Sequence, residues 1–539
     1  MAPEHTIPLA EGMDHDLAEW EKATAAVLRK MRKLAEDAPD SDVWDVLATR
    51  TLDGISVTPL GTPALTEDLP EPGLPGQSPF TRGSVAARTE LEGWDVRGWF
   101  IDPVTDADAV SAELENGANS LWLTVGEEGI DPDRLAAVLE PVFLDLAPVI
   151  LDAPTATRAA AEAFLGVLED KGVEAHRGTN LGADPLGNML RARGDTDLDL
   201  AVDLARVARG RGVRGVVVDA SAAHDLGASD VQELAYSLYA GVAYLRALTE
   251  AGLSASEAAE QIEFRYAASD EQFPTIAKLR AARRVWDRVG QLSDVVESAR
   301  AQRQHVVTSR PMMCRYDAYT NMLRTTVATF AAGVGGADAV TTLPFDEPLG
   351  LPTPFSRRIA RNTSALLISE SHVAAVTDPV GGAHAVEKLT DDIAGSAWEL
   401  FGELDAAGGV DAALALLRER IEATKNERAL QIACRQRPIT GVSEFPNLEE
   451  DLPERAPYPL TPNVHRYAGE FEAMRDDPAP QPVFLATMGP VAQHTARASF
   501  AANLLAAGGI HHAVAGATDG VDQVIDAYRE AGGPEVVCV

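Results

Sequence analysis

Between about residues 118 and 405 the chain repeats one pattern: a short continuous apolar run, then a longer segment with apolar residues at i, i+3 and i+4. A run that is apolar throughout suits a strand buried on both faces, and the longer spacing is one face of a helix. The runs lie at 120–125, 148–152, 173–176, 215–219, 262–267, 312–317, 339–343 and 373–377. Helical periodicity follows, for example at 159–168, 198–207, 231–248 and 276–289. Strands alternating with helices pair in parallel, and eight such units in succession close the sheet on itself. The expected fold class is therefore α/β, with a (β/α)8 barrel of TIM type at its centre.

Residues 1–90 lack the alternation. They hold an amphipathic helix at 17–34 and a Pro/Gly-rich stretch at 63–83, and read as an arm lying on the barrel or on a second subunit. The barrel is expected over 91–435, its units followed by a helix at 410–433. Residues 436–481, charged and punctuated by proline, read as an interdomain linker. From 482 to 539 come strand (482–487), helix (496–507), strand (511–514), helix (521–531) and strand (535–539). This reads as a partial flavodoxin-like, doubly wound domain, shortened because such a sheet normally has about five strands.

The formal charge of −36 excludes a nucleic-acid partner, which needs a basic face. No apolar run approaches the ~20 residues of a membrane-spanning helix. The opening Met1-Ala-Pro-Glu-His-Thr lacks the basic and apolar regions of an export signal. Cys314, Cys434 and Cys538 lie far apart and outside any metal-binding spacing, as expected of thiols in a reducing cytoplasm.

Carboxylates recur where the expected strands end: Asp152, Asp184, Asp219, Asp270, Asp317, Asp346 and Asp378. Each is a candidate for the upper rim of a barrel, where barrel enzymes keep their chemistry, or for a helix cap. His224 stands near a mouth as a possible acid or base, with a solvated loop histidine as the plainer reading. Gly333-Val-Gly-Gly336 lacks the order of a nucleotide loop and reads as a helix end. Asp378-Pro-Val-Gly-Gly382 has the position of a phosphate contact or of a tight turn. Arg357-Arg-Ile-Ala-Arg361 reads as an anion contact or as a solvated helix face. No metal site is expected.

Several blocks, in one order from about residue 75 to 539, resemble the methylmalonyl-CoA mutase family. They include Pro75-Gly-Gln-Ser-Pro-Phe-Thr-Arg-Gly83, Ile276-Ala-Lys-Leu-Arg-Ala-Ala-Arg-Arg-Val-Trp286, Asn321-Met-Leu-Arg-Thr-Thr326, Phe345-Asp-Glu-Pro-Leu-Gly-Leu-Pro-Thr353 and Arg358-Ile-Ala-Arg-Asn-Thr363. The resemblance implies a substrate barrel threaded by the coenzyme A chain and a flavodoxin-like domain holding adenosylcobalamin. It further implies a radical rearrangement interconverting (R)-methylmalonyl-CoA and succinyl-CoA, with the protein orienting and shielding the radicals.

The departures from that family fall on its working residues. Its Tyr-His pair, whose His donates to the substrate carbonyl, matches Ser221 and Ala222. The Tyr of its Arg-Gln-Tyr-Ala-Gly matches Trp99 of Arg97-Gly-Trp-Phe-Ile101, and the Thr/Ser-rich contact run that follows is replaced by Asp102-Pro-Val-Thr-Asp-Ala-Asp108. Its cobalamin turn carries Asp-x-His-x-x-Gly: the His ligates cobalt, the Asp orients that ring, and the Gly permits close approach. Read without gaps, those places hold Val491, Gln493 and Ala496. Shifted by one, His494 becomes the ligand, but Ala492 and Arg497 take the other two places. With substrate donor, coenzyme A contact and cobalt ligand all altered, the expectation is a non-catalytic subunit with no cofactor of its own. A large catalytic subunit would complete a cytoplasmic heterodimer and hold both adenosylcobalamin and the acyl-CoA substrate. The alternative is a self-sufficient mutase of altered specificity using His494.

Overall fold

The computed structural model describes residues 16–87 and 93–539. The opening residues, read above as carrying no export signal, lie outside it. Eight parallel strands form a closed barrel: β1 (Asp95–Phe100), β2 (Ser120–Thr124), β3 (Val149–Asp152), β4 (Asn180–Ala183), β5 (Arg214–Asp219), β6 (Ile262–Ala268), β7 (Gln304–Thr308) and β8 (Ala339–Thr341). Closure comes from β8, which pairs with β7 on one side and β1 on the other.

Five of the eight expected runs are barrel strands; three are not. Val173 of the 173–176 run closes the preceding helix, its N–H donating to Leu168 O at 3.2 Å beyond the left-handed Gly172. The 312–317 run turns at once, Met313 N–H donating to Arg310 O, and ends at Asp317 with φ 52°. The 373–377 run follows a π-helical turn, Leu366–Glu370, which Val373 N–H closes onto Leu367 O. The strands in fact used, β1, β4 and β7, carry Asp95, Arg97, Asn180, Gln304 and His305. Those polar residues break the apolar run that the reading followed.

The helices follow the periodicity closely. Thr157–Lys171, Leu198–Gly210, Asp230–Glu250 and Gln272–Leu292 contain the four expected segments, and Val410–Ala433 coincides with its own. The Asp230–Glu250 helix begins at a full capping box, Ser229 and Gln232 each satisfying the other's backbone. Most of the barrel's buried apolar residues form one continuous cluster, with Ile276, Ala331, Val334 and Val386 in a smaller one. Near the N-terminus, Ala25, Leu28, Leu34 and Val43 form another, with the Trp20 and Trp44 rings tilted against each other at 4.6 Å. The proline-rich stretch lies along the barrel: Arg283 donates to Phe80 O and Thr81 O, and Ser78 to Asp287.

Residues 449–467 form a strap across the carboxyl ends of the barrel strands. Its backbone is stitched down by Leu351 N–H to Ala456 O (2.7 Å), His465 N–H to Asp225 O (2.7 Å) and Tyr467 N–H to Pro311 O (2.9 Å). Beyond helix Gly469–Asp476 comes a three-stranded parallel sheet. Its central strand β9 (Val483–Leu485) is flanked by β10 (His512–Val514) and β11 (Val536–Cys538). The intervening helix starts at Val491 rather than 496.

Candidate functional site

Side chains alternate along a strand, so residues two apart face the barrel axis together. Here those residues are charged or aromatic. In one layer Arg97 donates to Glu263 (2.7 Å), Asp95 (3.1 Å) and Ser120 (3.0 Å), while Arg303 reaches Glu263 from outside (3.1 Å). Burial would raise the Glu263 carboxyl, but Arg97 and Arg303 outweigh it and hold the group down to about 2.

In the layer above, Trp99 packs on Trp122 with ring centres 5.8 Å apart, and the Arg265 guanidinium lies 4.3 Å over Trp122. His305 meets Trp122 edge-on at 5.3 Å. Burial and then the charges of Arg97 and Arg265 push His305 well below its usual value, so it is neutral. Its Nδ1 accepts from Arg265 Nε (3.2 Å), which leaves Nε2 to donate to Thr341 Oγ1 (2.8 Å).

At the mouth, Asp219 sits between Arg191 (2.6 Å) and Arg265 (3.0 Å). Burial opposes its ionisation, yet the two guanidiniums hold it well below the carboxylate range. Asp184 behaves oppositely: burial and then the Asp219 charge raise it to about 6. It accepts from Tyr244 (2.7 Å) and, as a helix cap, from Gly187 N–H (3.1 Å). The cavity among Asp152, Asp184, Arg191, Asp219 and Arg265 measures about 10 Å³. That is barely a water's worth, against the ~300–1,000 Å³ of a ligand pocket.

The strap roofs this end. Arg310 lies over Trp99 (5.3 Å) and pairs with Asp225 (3.4 Å) and Glu347 (3.3 Å). Tyr458 lies beside Trp99, ring centres 6.4 Å apart and tilted, and donates to Glu347 O at 3.0 Å, while Arg455 pairs with Asp346. Burial raises Glu347 to about 7, with Arg310 restraining the rise.

The residues singled out from sequence fall as follows. Ser221 opens a five-residue helix and donates to Asp219 (2.5 Å); Ala222 is fully buried in the apolar cluster; Trp99 belongs to the axial stack. His224 is not a solvated loop residue. It is 4% exposed, its Nε2 meets Ser309 Oγ at 2.7 Å, and its Nδ1 stands 3.6 Å from Glu233. Ser309 lies 85 positions away in sequence, which is why the plainer reading failed. Asp378 is not at the mouth in the expected way, since no strand precedes it; it pairs with Arg82 and Arg280. The arginine-rich helix is no free solvated face: Arg361 pairs with Glu113 (2.7 Å) and Arg357 lies over Phe100.

Val491, Gln493, His494 and Ala496 occupy the first turns of helix Val491–Ala507, with Val491 57% exposed. Both His494 ring nitrogens are covered and lack a hydrogen-bond partner. Sequence reasoning missed Arg97, Glu263, Arg265, His305, Arg310 and Tyr458. The available signal was a charge inside a run buried on both faces, as at Glu263 and Arg265.

A closed parallel barrel joined to a small parallel sheet defines an enzyme-type scaffold, here with the axis occupied by its own side chains. The family described as methylmalonyl-CoA mutase matches residues 124–508. The chain is 48% identical to the methylmalonyl-CoA mutase small subunit of Streptomyces virginiae, over 93% of this chain and 84% of that one. It is 43% identical to the probable methylmalonyl-CoA mutase small subunit of Mycobacterium tuberculosis H37Rv, over 99% and 89%. It is 37% identical to the small subunit from Propionibacterium freudenreichii subsp. shermanii, over 95% and 83%. The chain belongs to the methylmalonyl-CoA mutase family, within its small-subunit line.

Proposed function

We propose that this small subunit performs no chemistry of its own and supports a large catalytic subunit in a cytoplasmic heterodimer. The mutase family is cobalamin-dependent, and the small-subunit naming of its relatives implies a large partner. In this reading the partner holds both adenosylcobalamin and the acyl-CoA. The observation that carries it is the axis: Arg97, Glu263, Trp99, Trp122 and Arg265 stand where an acyl-CoA chain would have to thread. Ala222 adds to this, because a methyl group offers the substrate carbonyl no proton. A lost donor of that kind typically costs ~10²–10³ in rate.

The residues at the 488–496 turn do not fit a corrin. Val491 and Ala496 supply neither the orienting carboxylate nor the open backbone, and Gln493 is no cobalt ligand. Among the described residues no helix is long and apolar enough to cross a membrane, and the charge of −36 argues against nucleic acid.

Purifying the chain alone and with its co-expressed partner tests the proposal: isomerisation is expected from the pair and none from the single chain. A second reading takes its support from the two unpartnered nitrogens of His494, which leave that ring available as a ligand if the covering groups move. It requires the lone chain to shift the cobalamin absorbance spectrum on titration, and His494→Ala to abolish the shift. The first reading expects a flat titration.

A further inference from the structure

Six large apolar side chains on adjoining elements are left 50–79% exposed: Tyr319, Leu323, Phe355, Phe445, Phe500 and Leu504. Direct contacts join the elements that carry them. Tyr319 and Phe355 flank the buried Phe345, with ring centres 5.0 and 6.3 Å from it. Just beyond Tyr319, helix Asn321–Val334 bears Leu323, and its Arg324 donates to Thr440 O at 2.7 Å. The turn that follows Thr440 carries Phe445, and Asn503 ties it to helix Val491–Ala507, the bearer of Phe500 and Leu504. The six therefore form one band from the barrel's outer helices to the C-terminal sheet.

Phe445 is the least ordinary member. Its φ of 55° is a left-handed conformation that bulky side chains rarely adopt. Asn503 holds it with both ends of its amide: Oδ1 accepts from Phe445 N–H at 2.8 Å, and Nδ2 donates to Ser443 O at 2.9 Å. Backbone strain persists where its surroundings over-determine it, and such positions cluster at working surfaces. This clamp keeps an aromatic ring in the open, as an interface hot spot requires.

Aromatic side chains carry ~150–250 Å² each, so the band leaves on the order of 600 Å² of apolar surface uncovered. That is at the top of what an ordinary monomer shows in one patch, and most of the ~800 Å² each partner gives to a standard interface. Two arginines join the rings: Arg358 lies 5.7 Å over Phe355, and Arg435 lies 5.2 Å over Phe500. Aromatic rings with arginine are what interface centres are enriched in. A two-fold contact between copies would match this patch with itself, arginines included, and would bring together two charges of −36. A different chain is the better occupant.

We propose that this band is the docking face for the large catalytic subunit, whose opposing surface is apolar with carboxylates placed for Arg358 and Arg435. The proposal rests on the heterodimer reading above and adds where the two chains meet.

The test uses the full chain and the large subunit, purified apart, with sedimentation velocity to detect the pair and calorimetric titration for its affinity. Phe445→Asn removes the ring and keeps a residue that tolerates the left-handed backbone; it should weaken the pair ~30-fold or more. Leu504→Arg, on a different element, should do the same. Phe143→Asn, also exposed but on the turn ahead of β3, should change affinity by less than ~2-fold. Hydrogen exchange should slow on pairing at 319–323, 443–446 and 500–504. Pairing of the parent chains with affinity unchanged in both band variants, or protection confined to other segments, overturns the proposal and leaves the heterodimer reading standing. No pairing of the parent chains overturns both. A lone chain that sediments as a dimer, and as a monomer with Phe445→Asn, assigns the face to a second copy and overturns the proposal as well.

Discussion

Glu347 shows how burial and charge set the behaviour of a single residue. Its native value of about 7 lies above the 4.5 of a free glutamate, so the folded protein holds an extra proton between those two values. Stability from this group is therefore greatest below about 4.5 and declines as pH rises to about 7. Glu347→Gln removes that titration. Urea unfolding at about pH 5 and about pH 8 should show the variant gaining on the parent by on the order of 3 kcal/mol across the window, beyond any constant offset from the lost Arg310 contact. Glu263 has the opposite sign. Held down to about 2, it contributes stability above 4.5 that is lost as the solution is acidified. Lys278 gives a simpler prediction. It bridges Glu233 (2.6 Å) and Asp230 (2.7 Å), and Glu233 has no solvent exposure. Lys278→Met leaves a buried carboxylate without its cation and should cost about 3–5 kcal/mol in denaturant midpoint analysis.

Among the elements, the strap is the one whose removal is easiest to read out. Tyr458→Ala deletes the ring facing Trp99 and the bond to Glu347 O. Expected are greater acrylamide quenching of tryptophan emission, faster proteolysis within 449–463, and about 1–3 kcal/mol of lost stability. The same level shows what could be read from sequence and what could not. Helices were legible to within a few residues because one buried face imposes its period on many positions. Strands were legible where apolar residues dominate, as in β2, β3 and β5, and β6 was legible despite Glu263 and Arg265. β1 and β7 escaped because their axial residues are Asp95, Arg97 and His305, whose burial rests on partners 25–166 positions away. The strap read as a plain linker for a related reason: Arg455 and Tyr458 find their partners only once the barrel has closed. The turn at 488–496 and the positions Ser221, Ala222 and Trp99 were conspicuous through the family resemblance.

At the scale of the whole molecule, the net charge of −36 stands against an interior rich in arginine. Like charges crowded on a folded surface repel, and salt screens them. The thermal midpoint should rise when sodium chloride is raised from ~0.01 M to ~0.15 M, as differential scanning calorimetry would show. A different consequence follows from the small apolar cluster that Ala25, Leu28, Leu34 and Val43 form apart from the barrel's. With so few buried groups of its own, that N-terminal patch can come undone while the barrel stays intact. The Trp20–Trp44 pair, tied by an indole N–H to Glu21 at 2.7 Å, makes it an internal optical gauge. Its emission reports local fraying in mild denaturant well before the barrel's own tryptophans respond.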